Sequence, residues 1–276
     1  MNLLALDDLL RQALNEDIGF GDATSEAIFD EDHFSKGILL AKQDLVLAGM
    51  AVFARTFALL DAQVKIVPKC KDGSRLRAGE EFAAIEGPTR ALLAGERVAL
   101  NFLQRMSGIA TQTSRYVEAA KGFAAIIVDT RKTTPGLRML EKYAVTVGGG
   151  KNHRMGLDAM VLIKDNHIKA AGGIIPAVHR VRERVSPFLH VEVETESLEQ
   201  VEEALAAGAD VIMLDNMSLP LIKQSVDLIG GKALVEVSGN VTLERVAELA
   251  ATGVDFISIG ALTHSVKAAD ISMRLR

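Results

Sequence analysis

A run of cationic side chains between residues 131 and 169 is the strongest indication of chemistry in this sequence. The segment holds eight Lys and Arg residues against three Asp and Glu residues, a net charge of +5, although the chain of 276 residues carries −5 overall. Clustered Arg and Lys side chains bind carboxylates and phosphates, so the segment predicts a site for a small polyanion. A solvated charged surface is the alternative interpretation. The eight cations are Arg131, Lys132, Arg138, Lys142, Lys151, Arg154, Lys164 and Lys169.

Two carboxylates follow this segment, each as the last residue of a short apolar run. We expect Glu194 and Asp215 to hold Mg²⁺ or to accept hydrogen bonds from sugar hydroxyls. Glu192 shares the face of Glu194 by strand alternation, so either side chain could face the site. The alternative is that Glu194 and Asp215 form ion pairs with Lys164 and Lys132 that only keep this region folded.

Two glycine-containing turns end the last two apolar runs. Ser238-Gly239-Asn240 and Ile259-Gly260-Ala261 each precede a helical stretch, where backbone N–H groups at a helix start can bind phosphate. Such glycines are also common in ordinary turns. Because both turns occur on consecutive late strands, the pattern favours a phosphate site.

A regular alternation of strands and helices must position these residues. From about residue 123, β-branched runs alternate with helical stretches, and the last four runs end 21 to 23 residues apart. That interval leaves room for one helix between consecutive strands, and the strands are then parallel. In a parallel barrel the active site lies at the carboxyl ends of the strands. The six runs end at Asp129, Lys164, Glu194, Asp215, Ser238 and Gly260.

We therefore predict an α/β fold with a parallel barrel, complete or partial, over residues 108–276. An open doubly wound sheet is the alternative, although no Gly-x-Gly-x-x-Gly follows any of the runs. Residues 1–107 contain an amphipathic helix and short strand-like pieces separated by glycines, which predicts a smaller α+β domain. The C-terminal tail, residues 266–276, is expected to pack back on that domain.

The composition narrows the classes of partner. A hydrophobic content of 49% with 24% charged residues is typical of a globular protein and excludes disorder. The acidic balance argues against nucleic acid and anionic membranes as partners, and the apolar runs are too short to span a bilayer. The first residues lack the basic and apolar regions of a secretory signal, and Cys70 is the only cysteine. We expect a cytoplasmic protein.

Several longer motifs are similar to those of the quinolinate phosphoribosyltransferases. Thr130-Arg-Lys-Thr-Thr-Pro-Gly136 and Lys164-Asp-Asn-His167 are the most specific of them, and the likeness extends from Glu16 almost to the C-terminus. The other matching segments are Glu96–Asn101, Ser107–Thr111, Glu141–Tyr143, Gly148–Gly150, His153-Arg154, Val191–Glu194, Leu214–Asn216, Glu236–Gly239 and Ile259-Gly260.

The resemblance implies an N-terminal sandwich domain, an incomplete α/β barrel and a homodimer. It also implies a reaction in NAD biosynthesis: quinolinate and phosphoribosyl pyrophosphate (PRPP) give nicotinate mononucleotide, pyrophosphate and CO₂, with Mg²⁺. In each barrel the quinolinate site would consist of Arg131, His153, Arg154 and Lys132, with Arg97 supplied by the other subunit. Thr130 belongs to the same motif as Arg131.

The remaining roles concern PRPP. The resemblance implies that Lys132 and Lys164 lie near its pyrophosphate, and that Glu194 and Asp215 hold the ribose and Mg²⁺. Lys132, Glu194 and Asp215 are the candidate catalytic residues. The phosphate would rest on Ser238, Gly239 and Asn240 and on Ile259, Gly260 and Ala261. Many relatives have Ser-Gly-Gly where this chain has Ser238-Gly239-Asn240, but Asn tolerates a left-handed backbone, so we expect the loop geometry to be retained.

Three alternatives stay open at this point. The first is a Schiff-base enzyme with Lys132 or Lys164 as the nucleophile. The second is a protein of the same fold with another aromatic acceptor, of the type associated with molybdenum-transport operons. The third is a non-catalytic protein that binds a phosphosugar. A metal-ligand role for His153 is not expected, because no His or Cys stands at ligand spacing from it.

Overall fold

The structure is a computed structural model that describes residues 2–276. These residues form eleven α-helices and twelve β-strands. Helices and strands are numbered separately in chain order: α1 (Leu3–Ile18), α2 (Ala23–Ile28), β1 (Phe34–Ala41), β2 (Leu45–Val46), α3 (Met50–Leu60), β3 (Lys65–Pro68), β4 (Arg75–Leu76), β5 (Glu81–Pro88), α4 (Thr89–Ala119), β6 (Ile126–Val128), α5 (Arg138–Val147), β7 (Val161–Ile163), α6 (Asp165–Ala171), α7 (Ile174–Arg184), β8 (Val191–Thr195), α8 (Leu198–Ala206), β9 (Val211–Asp215), α9 (Leu219–Ile229), β10 (Leu234–Ser238), α10 (Val246–Ala250), β11 (Phe256–Ser258), α11 (Ala261–His264) and β12 (Ile271–Leu275).

The chain divides into two compact units, and both are discontinuous in sequence. The first unit contains the residues up to Ser114 together with Thr134–Gly149 and Thr263–Arg276. The second unit contains Arg115–Thr133 and Gly150–Leu262. The boundary expected after residue 107 lies within α4. The main difference from that expectation is that two later segments, Thr134–Gly149 and Thr263–Arg276, also belong to the first unit.

The first unit is built on a four-stranded antiparallel sheet in the order β12-β1-β5-β3. β12 pairs with β1 over five residues, from Gly37 opposite Leu275 to Ala41 opposite Ile271, so the C-terminal tail completes this sheet. Helix α1 buries Leu6, Leu10 and Leu14. These leucines recur at intervals of four residues, which places them on one face of the helix.

The second unit is a six-stranded parallel sheet in the order β6-β11-β10-β9-β8-β7. Each of β7 to β11 pairs with its neighbour in sequence, and the first strand, β6, pairs with the last, β11. That order is the order of a barrel, and a doubly wound sheet would not produce it. Within residues 2–276 the two strands β6 and β7 do not pair, so the barrel is incomplete, as expected. Lys151 forms a single parallel bridge with Val128 beside β6.

Local signals in the sequence explain the helix ends of the second unit. The Ser197 hydroxyl accepts a hydrogen bond from the Gln200 N–H at the start of α8, as its capping sequence predicts. Gly208 and Gly253 follow α8 and α10 with φ of 78° and 90°, values that favour glycine. The stretch after Thr242 begins as a 3₁₀ turn over Leu243–Arg245, and the α-helix α10 follows directly.

Among the helices of residues 2–276, none combines the length and the apolar composition that crossing a membrane requires.

Candidate active site

A cleft of about 510 Å³ opens at the carboxyl ends of the barrel strands in the second unit. It is called the barrel cleft below. Its walls contain cations, carboxylates and a glycine turn, which is the combination that the sequence pattern predicts at this end of a barrel. Its lining residues are Thr130, Arg131, Lys132, His153, Arg154, Leu162, Lys164, Glu194, Met213, Asp215, Asn216, Glu236, Ser238, Gly239, Asn240 and Ser258.

Four of the eight cations of residues 131–169 line the barrel cleft, namely Arg131, Lys132, Arg154 and Lys164. Lys151 and Lys169 are exposed side chains of the second unit outside that lining. Arg138 and Lys142 belong to the first unit with Glu141, whose buried carboxylate accepts hydrogen bonds of 2.8 and 2.5 Å from the Arg105 guanidinium. The basic segment is therefore divided between the barrel cleft and the first unit.

A cation and a carboxylate meet at the ends of β7 and β8. The Lys164 ammonium donates a short hydrogen bond to Glu194 Oε2. Glu194 retains only 11% of its side-chain exposure, whereas Lys164 retains 44%. Because Lys164 is the more accessible partner, an anionic ligand can contact it while Glu194 stays in place. Glu192 lies two residues earlier on β8 and is fully buried, so Glu194 is the carboxylate of this pair that lines the cleft.

Side-chain amides join the ends of β9 and β10. Asn216 Nδ2 donates to Asp215 Oδ2 at 2.7 Å, and Asn240 Nδ2 donates to Asn216 Oδ1 at 3.0 Å. Asn216 and Asn240 both have a left-handed backbone, with φ of 54° and 48°. Asn240 thus adopts the left-handed backbone that asparagine tolerates, and its side chain braces the neighbouring loop.

Gly239 cannot be replaced without disturbing this loop pair. Its φ is 93°, and a Cβ added there would lie 2.2 Å from Asn216 Oδ1 and 2.9 Å from the Asn216 backbone nitrogen. A side chain at position 239 would thus displace the Asn216 amide, which holds Asp215. The short turn after β10 depends on glycine for both conformation and space.

His153 lies at the floor of the cleft between two buried carboxylates. Its Nε2 is 3.2 Å from Glu192 Oε2 and 3.4 Å from Glu236 Oε2. Burial disfavours a charged imidazole, whereas the contacts with Glu192 and Glu236 raise the pKa of His153. The Arg154 main-chain N–H donates to Nδ1 at 2.8 Å, which requires a lone pair on that nitrogen, so the geometry opposes a second ring proton despite the neighbouring carboxylates. Burial and the negative charge of Glu236 raise the pKa of Glu192 to about 7, against the opposing effect of His153.

Four predicted site residues lie outside this lining. Arg97 belongs to the first unit, where it is exposed on α4. Ile259, Gly260 and Ala261 follow Ser258, which does line the cleft. The Ile259 N–H donates to Val128 O at 2.9 Å, so this residue joins β11 to β6. Their roles in binding stay predictions.

Five lining residues were not proposed from the sequence: Leu162, Met213, Asn216, Glu236 and Ser258. Glu236 carried a usable signal, because a lone carboxylate between Val235 and Val237 in a buried strand must point into the barrel. Asn216 directly follows Asp215, but nothing in the sequence pattern indicates that its amide reaches the next loop.

Two family models match the chain. The model described as "Quinolinate phosphoribosyl transferase, N-terminal domain" matches residues 22–107, and the corresponding C-terminal domain matches residues 109–274. A protein of Bacillus subtilis named "Probable nicotinate-nucleotide pyrophosphorylase [carboxylating]" is 49% identical over 99% of this chain and 94% of its own length. A protein of Nicotiana tabacum named "Quinolinate phosphoribosyltransferase [decarboxylating] 2b, mitochondrial" is 45% identical over 98% of this chain and 82% of its own length.

A solved structure agrees with these sequence matches. The crystal structure of NadC from Streptococcus pyogenes superposes with a TM-score of 0.97 at 47% identity, covering 100% of this chain and 98% of the other. At 47% identity, the similarity indicates a shared family and not only a shared fold. Both domain models and the full-length relatives show that this chain belongs to the quinolinate phosphoribosyltransferase family.

Proposed function

We propose that this chain transfers the phosphoribosyl group of PRPP to quinolinate and decarboxylates the product, which supplies nicotinate mononucleotide for NAD biosynthesis. Family membership gives the reaction. The observation that carries the proposal is the barrel cleft, where four cations, three carboxylates and a glycine turn occupy one surface. A dianionic acceptor and a polyanionic donor need such a concentration of positive charge.

The acceptor end of the cleft is assigned to Arg131, His153 and Arg154, with Lys132 beside them. A guanidinium binds a carboxylate through two parallel hydrogen bonds, so two arginines suit a pyridine dicarboxylate. Arg131 and Arg154 are both partly buried, which strengthens their attraction to an anion relative to a fully exposed side chain.

The donor end is assigned to the opposite group of lining residues. Lys132 and Lys164 would contact the pyrophosphate, and the turn Ser238-Gly239-Asn240 would hold the 5′-phosphate through its backbone N–H groups. The later turn, Ile259-Gly260-Ala261, would complete the phosphate site. Glu194 and Asp215 would face the ribose between these two anionic groups.

The residues present fit a Mg²⁺ ion that accompanies PRPP. Glu194 and Asp215 supply carboxylate oxygens at the cleft, and Mg²⁺ typically binds to one or two protein carboxylates together with substrate phosphates and water. Bound there, the ion would neutralise charge on the leaving pyrophosphate. The chain's own carboxylates keep a second role, because they stabilise positive charge that develops on the ribose ring.

The reaction needs positioning more than proton transfer. The bond from ribose C1′ to the pyrophosphate oxygen breaks, its electron pair leaves with pyrophosphate, and the quinolinate nitrogen forms a new bond to C1′. The carboxylate next to that nitrogen then leaves as CO₂, its electron pair stays on the ring carbon beside the positive nitrogen, and a proton from solvent adds there. Charged groups held in place can supply this catalysis without a nucleophile and base pair.

The Schiff-base alternative is less well supported by the site. Lys164 is engaged as an ammonium with Glu194, whereas a Schiff-base lysine must be free and neutral to attack a carbonyl.

The assembly is part of the proposal. We infer a homodimer in which Arg97 of one subunit reaches the acceptor end of the other subunit's cleft, and we place the enzyme in the cytoplasm. Arg97 is exposed on α4, so it is available to a second chain.

Product analysis tests the function directly. The protein is incubated with PRPP and Mg²⁺ and with either quinolinate or nicotinate, and nicotinate mononucleotide is measured by chromatography. We expect product from quinolinate alone and its loss when Mg²⁺ is chelated. Product from nicotinate but not from quinolinate would instead support another acceptor, and saturable PRPP binding without product would support a binding protein.

A further inference from the structure

Three strands place buried carboxylates inside the barrel of the second unit. Asp129 directly follows β6, Glu192 lies on β8 and Glu236 on β10, and each retains 3% exposure or less. These are alternate strands of the sheet, which together fill one layer of a barrel interior. A buried carboxylate is costly unless it serves a partner. Asp129 and Glu236 were not proposed as site residues from the sequence, and Glu192 was considered only as an alternative to Glu194.

All three carboxylates contact His153. Asp129 Oδ1 accepts a hydrogen bond of 2.9 Å from the His153 main-chain N–H. Glu192 and Glu236 lie on the Nε2 side of the ring, at 3.2 and 3.4 Å. Within residues 2–276, Glu192 has no hydrogen-bond partner at either carboxylate oxygen and Glu236 has none at Oε1. The close contact with His153 Nε2 is therefore the principal polar contact of both side chains.

The other ring nitrogen is occupied as well. The Arg154 main-chain N–H donates to His153 Nδ1 at 2.8 Å, and an N–H that points at Nδ1 requires an acceptor there. The hydrogen of the ring therefore lies on Nε2, toward Glu192 and Glu236. With both nitrogens engaged, His153 holds the main chain of Arg154, while the Arg154 guanidinium is anchored by a bond of 3.0 Å to Met160 O.

We infer that Glu192 and Glu236 are positioning residues that fix the His153 ring through Nε2 and thereby set the main chain of Arg154 at the acceptor end of the barrel cleft. His153 then acts as a spacer between a carboxylate layer and a guanidinium, and the acceptor carboxylates contact Arg154 directly. The inference rests on the proposed function for the identity of the acceptor, but the hydrogen-bond arrangement does not depend on it.

A metal ion is the competing interpretation of the same cluster. One ligand atom from each of His153, Glu192 and Glu236 lies within 4.8 Å of the others, which is close enough for one divalent ion. The charge of Arg154 acts on Glu192 and itself offsets the negative charge of the cluster. A further divalent cation would be repelled by that guanidinium, so the Nε2–H group of His153 is the better partner for the two carboxylates.

Steady-state kinetics of Glu192→Gln and Glu236→Gln test the positioning role. Each variant keeps the shape of the side chain and removes its charge. We expect the KM for quinolinate to rise about 10- to 100-fold, the size of effect seen for groups that orient a ligand-binding histidine. We expect the KM for PRPP to stay within about threefold, because the donor end has other contacts. An unchanged quinolinate KM in both variants would overturn the inference.

Asp255→Asn is the matched control. The Asp255 carboxylate accepts a bond of 2.7 Å from the Val235 N–H near the amino end of β10, the end opposite to Ser238. Asp255→Asn, like Glu236→Gln, removes the charge of one carboxylate on or next to β10, but Asp255 does not contact His153. If Asp255→Asn raised the quinolinate KM as much as Glu236→Gln does, the effect would come from general loosening of the barrel, and the inference would be wrong.

Nitrogen NMR of the imidazole provides a readout independent of activity. In protein with ¹⁵N-labelled histidine, we expect His153, assigned by comparison with His153→Gln, to show an unprotonated Nδ1 and a protonated Nε2. The signals should be insensitive to Zn²⁺ and Mg²⁺. A protonated Nδ1, or a direct metal effect on Nε2, would contradict the positioning arrangement even in a fully active enzyme. The expected tautomer in a protein without quinolinate turnover would instead refute only the proposed function.

Discussion

The Lys164–Glu194 ion pair can serve both the stability of the fold and the binding of substrate. An ion pair at a strand end can be purely structural, but these two side chains also line the barrel cleft. The pair leaves Lys164 accessible to an anion and keeps Glu194 near the ribose position of the proposed donor. A substitution that removes the charge of Glu194 therefore tests whether this carboxylate takes part in the reaction.

Glu194→Gln should lower kcat by about 100- to 1000-fold, the usual cost of removing one group that stabilises charge in a transition state. The quinolinate KM should change much less, because the acceptor end retains its cations. Initial rates at saturating substrates measure the effect.

Glu196→Gln is the control for that substitution. Glu196 is exposed two residues after Glu194, beyond the end of β8, so its charge should not affect turnover. Equal losses in the two variants, or near-normal kcat in Glu194→Gln, would show that Glu194 is not part of the catalytic machinery.

Tyr143 should make the stability of the folded protein depend on pH in the alkaline range. Its hydroxyl donates to Asp72 Oδ2 at 2.8 Å, and burial together with this contact raises the pKa of Tyr143 to about 12. The neutral phenol is thus favoured in the folded state. The stabilisation is fully present below pH 10, where unfolded tyrosine is still protonated, and it is lost as the pH rises toward 12.

Tyr143→Phe should remove this contribution, which is on the order of 1 kcal/mol after allowance for solvent screening. The difference in unfolding free energy between the wild type and Tyr143→Phe should be constant at neutral pH and shrink above pH 10. Denaturant titrations at several pH values measure it. A difference that grows with alkaline pH would have the wrong sign for this account.

At the scale of elements, the carboxyl ends of the strands were predictable and the side-chain network between them was not. The β-branched runs and glycine stops located β8, β9 and β10 because each run ends in a polar residue followed by a helix signal. The inward carboxylates of Glu192 and Glu236 went unassigned, because strand alternation shows the face but not the partner. Asn216 reaches Asn240 across two loops, and no local rule describes such a contact.

The basic segment, residues 131–169, is a second case in which the sequence did not predict the tertiary partner of a charged side chain. Its cations are continuous in sequence, but Glu141 belongs to a buried ion pair with Arg105 in the first unit, and that part of the segment forms α5. Charge counting cannot separate charged residues that line the cleft from those, such as Glu141, that belong to the other unit. The tertiary partner, 36 residues earlier in the chain, decides between them.

Gly239→Ala tests the loop between β10 and α10. The added Cβ would meet Asn216 Oδ1 at 2.2 Å at a backbone φ of 93°, so the Asn216 amide must move away from Asp215. We expect the KM for PRPP to rise at least about tenfold, since a phosphate-binding turn tolerates little displacement.

Gly253→Ala supplies a control with nearly the same backbone strain. Its φ is 90°, but an added Cβ would meet only Val226 Cγ1 at an ordinary 3.6 Å. It should cost about 1 to 2 kcal/mol of stability, as a left-handed non-glycine residue does, and leave the PRPP KM unchanged. Equal PRPP KM values in Gly239→Ala and Gly253→Ala would show that the turn after β10 does not contact the donor.

At the scale of the whole molecule, the proposed dimer makes each active site depend on two chains. Arg97→Ala and Asp215→Asn should each be nearly inactive as homodimers. Mixing them after dissociation should restore up to about a quarter of the wild-type activity, because half of a random population is mixed and one of its two sites is intact. Activity that stays at the level of the separate variants, with mixed dimers present by mass spectrometry, would show that Arg97 does not act across an interface.

The central claim is that a chain with a net charge of −5 gathers two anionic substrates at one basic cleft and couples phosphoribosyl transfer to decarboxylation. The most direct measurement follows CO₂ from carboxyl-labelled quinolinate together with pyrophosphate from PRPP in one reaction. We predict that CO₂ and pyrophosphate are released in equal amounts, and that neither is released when quinolinate or PRPP is left out. Pyrophosphate release that proceeds without quinolinate, or no release of either product by the folded protein, would contradict the account.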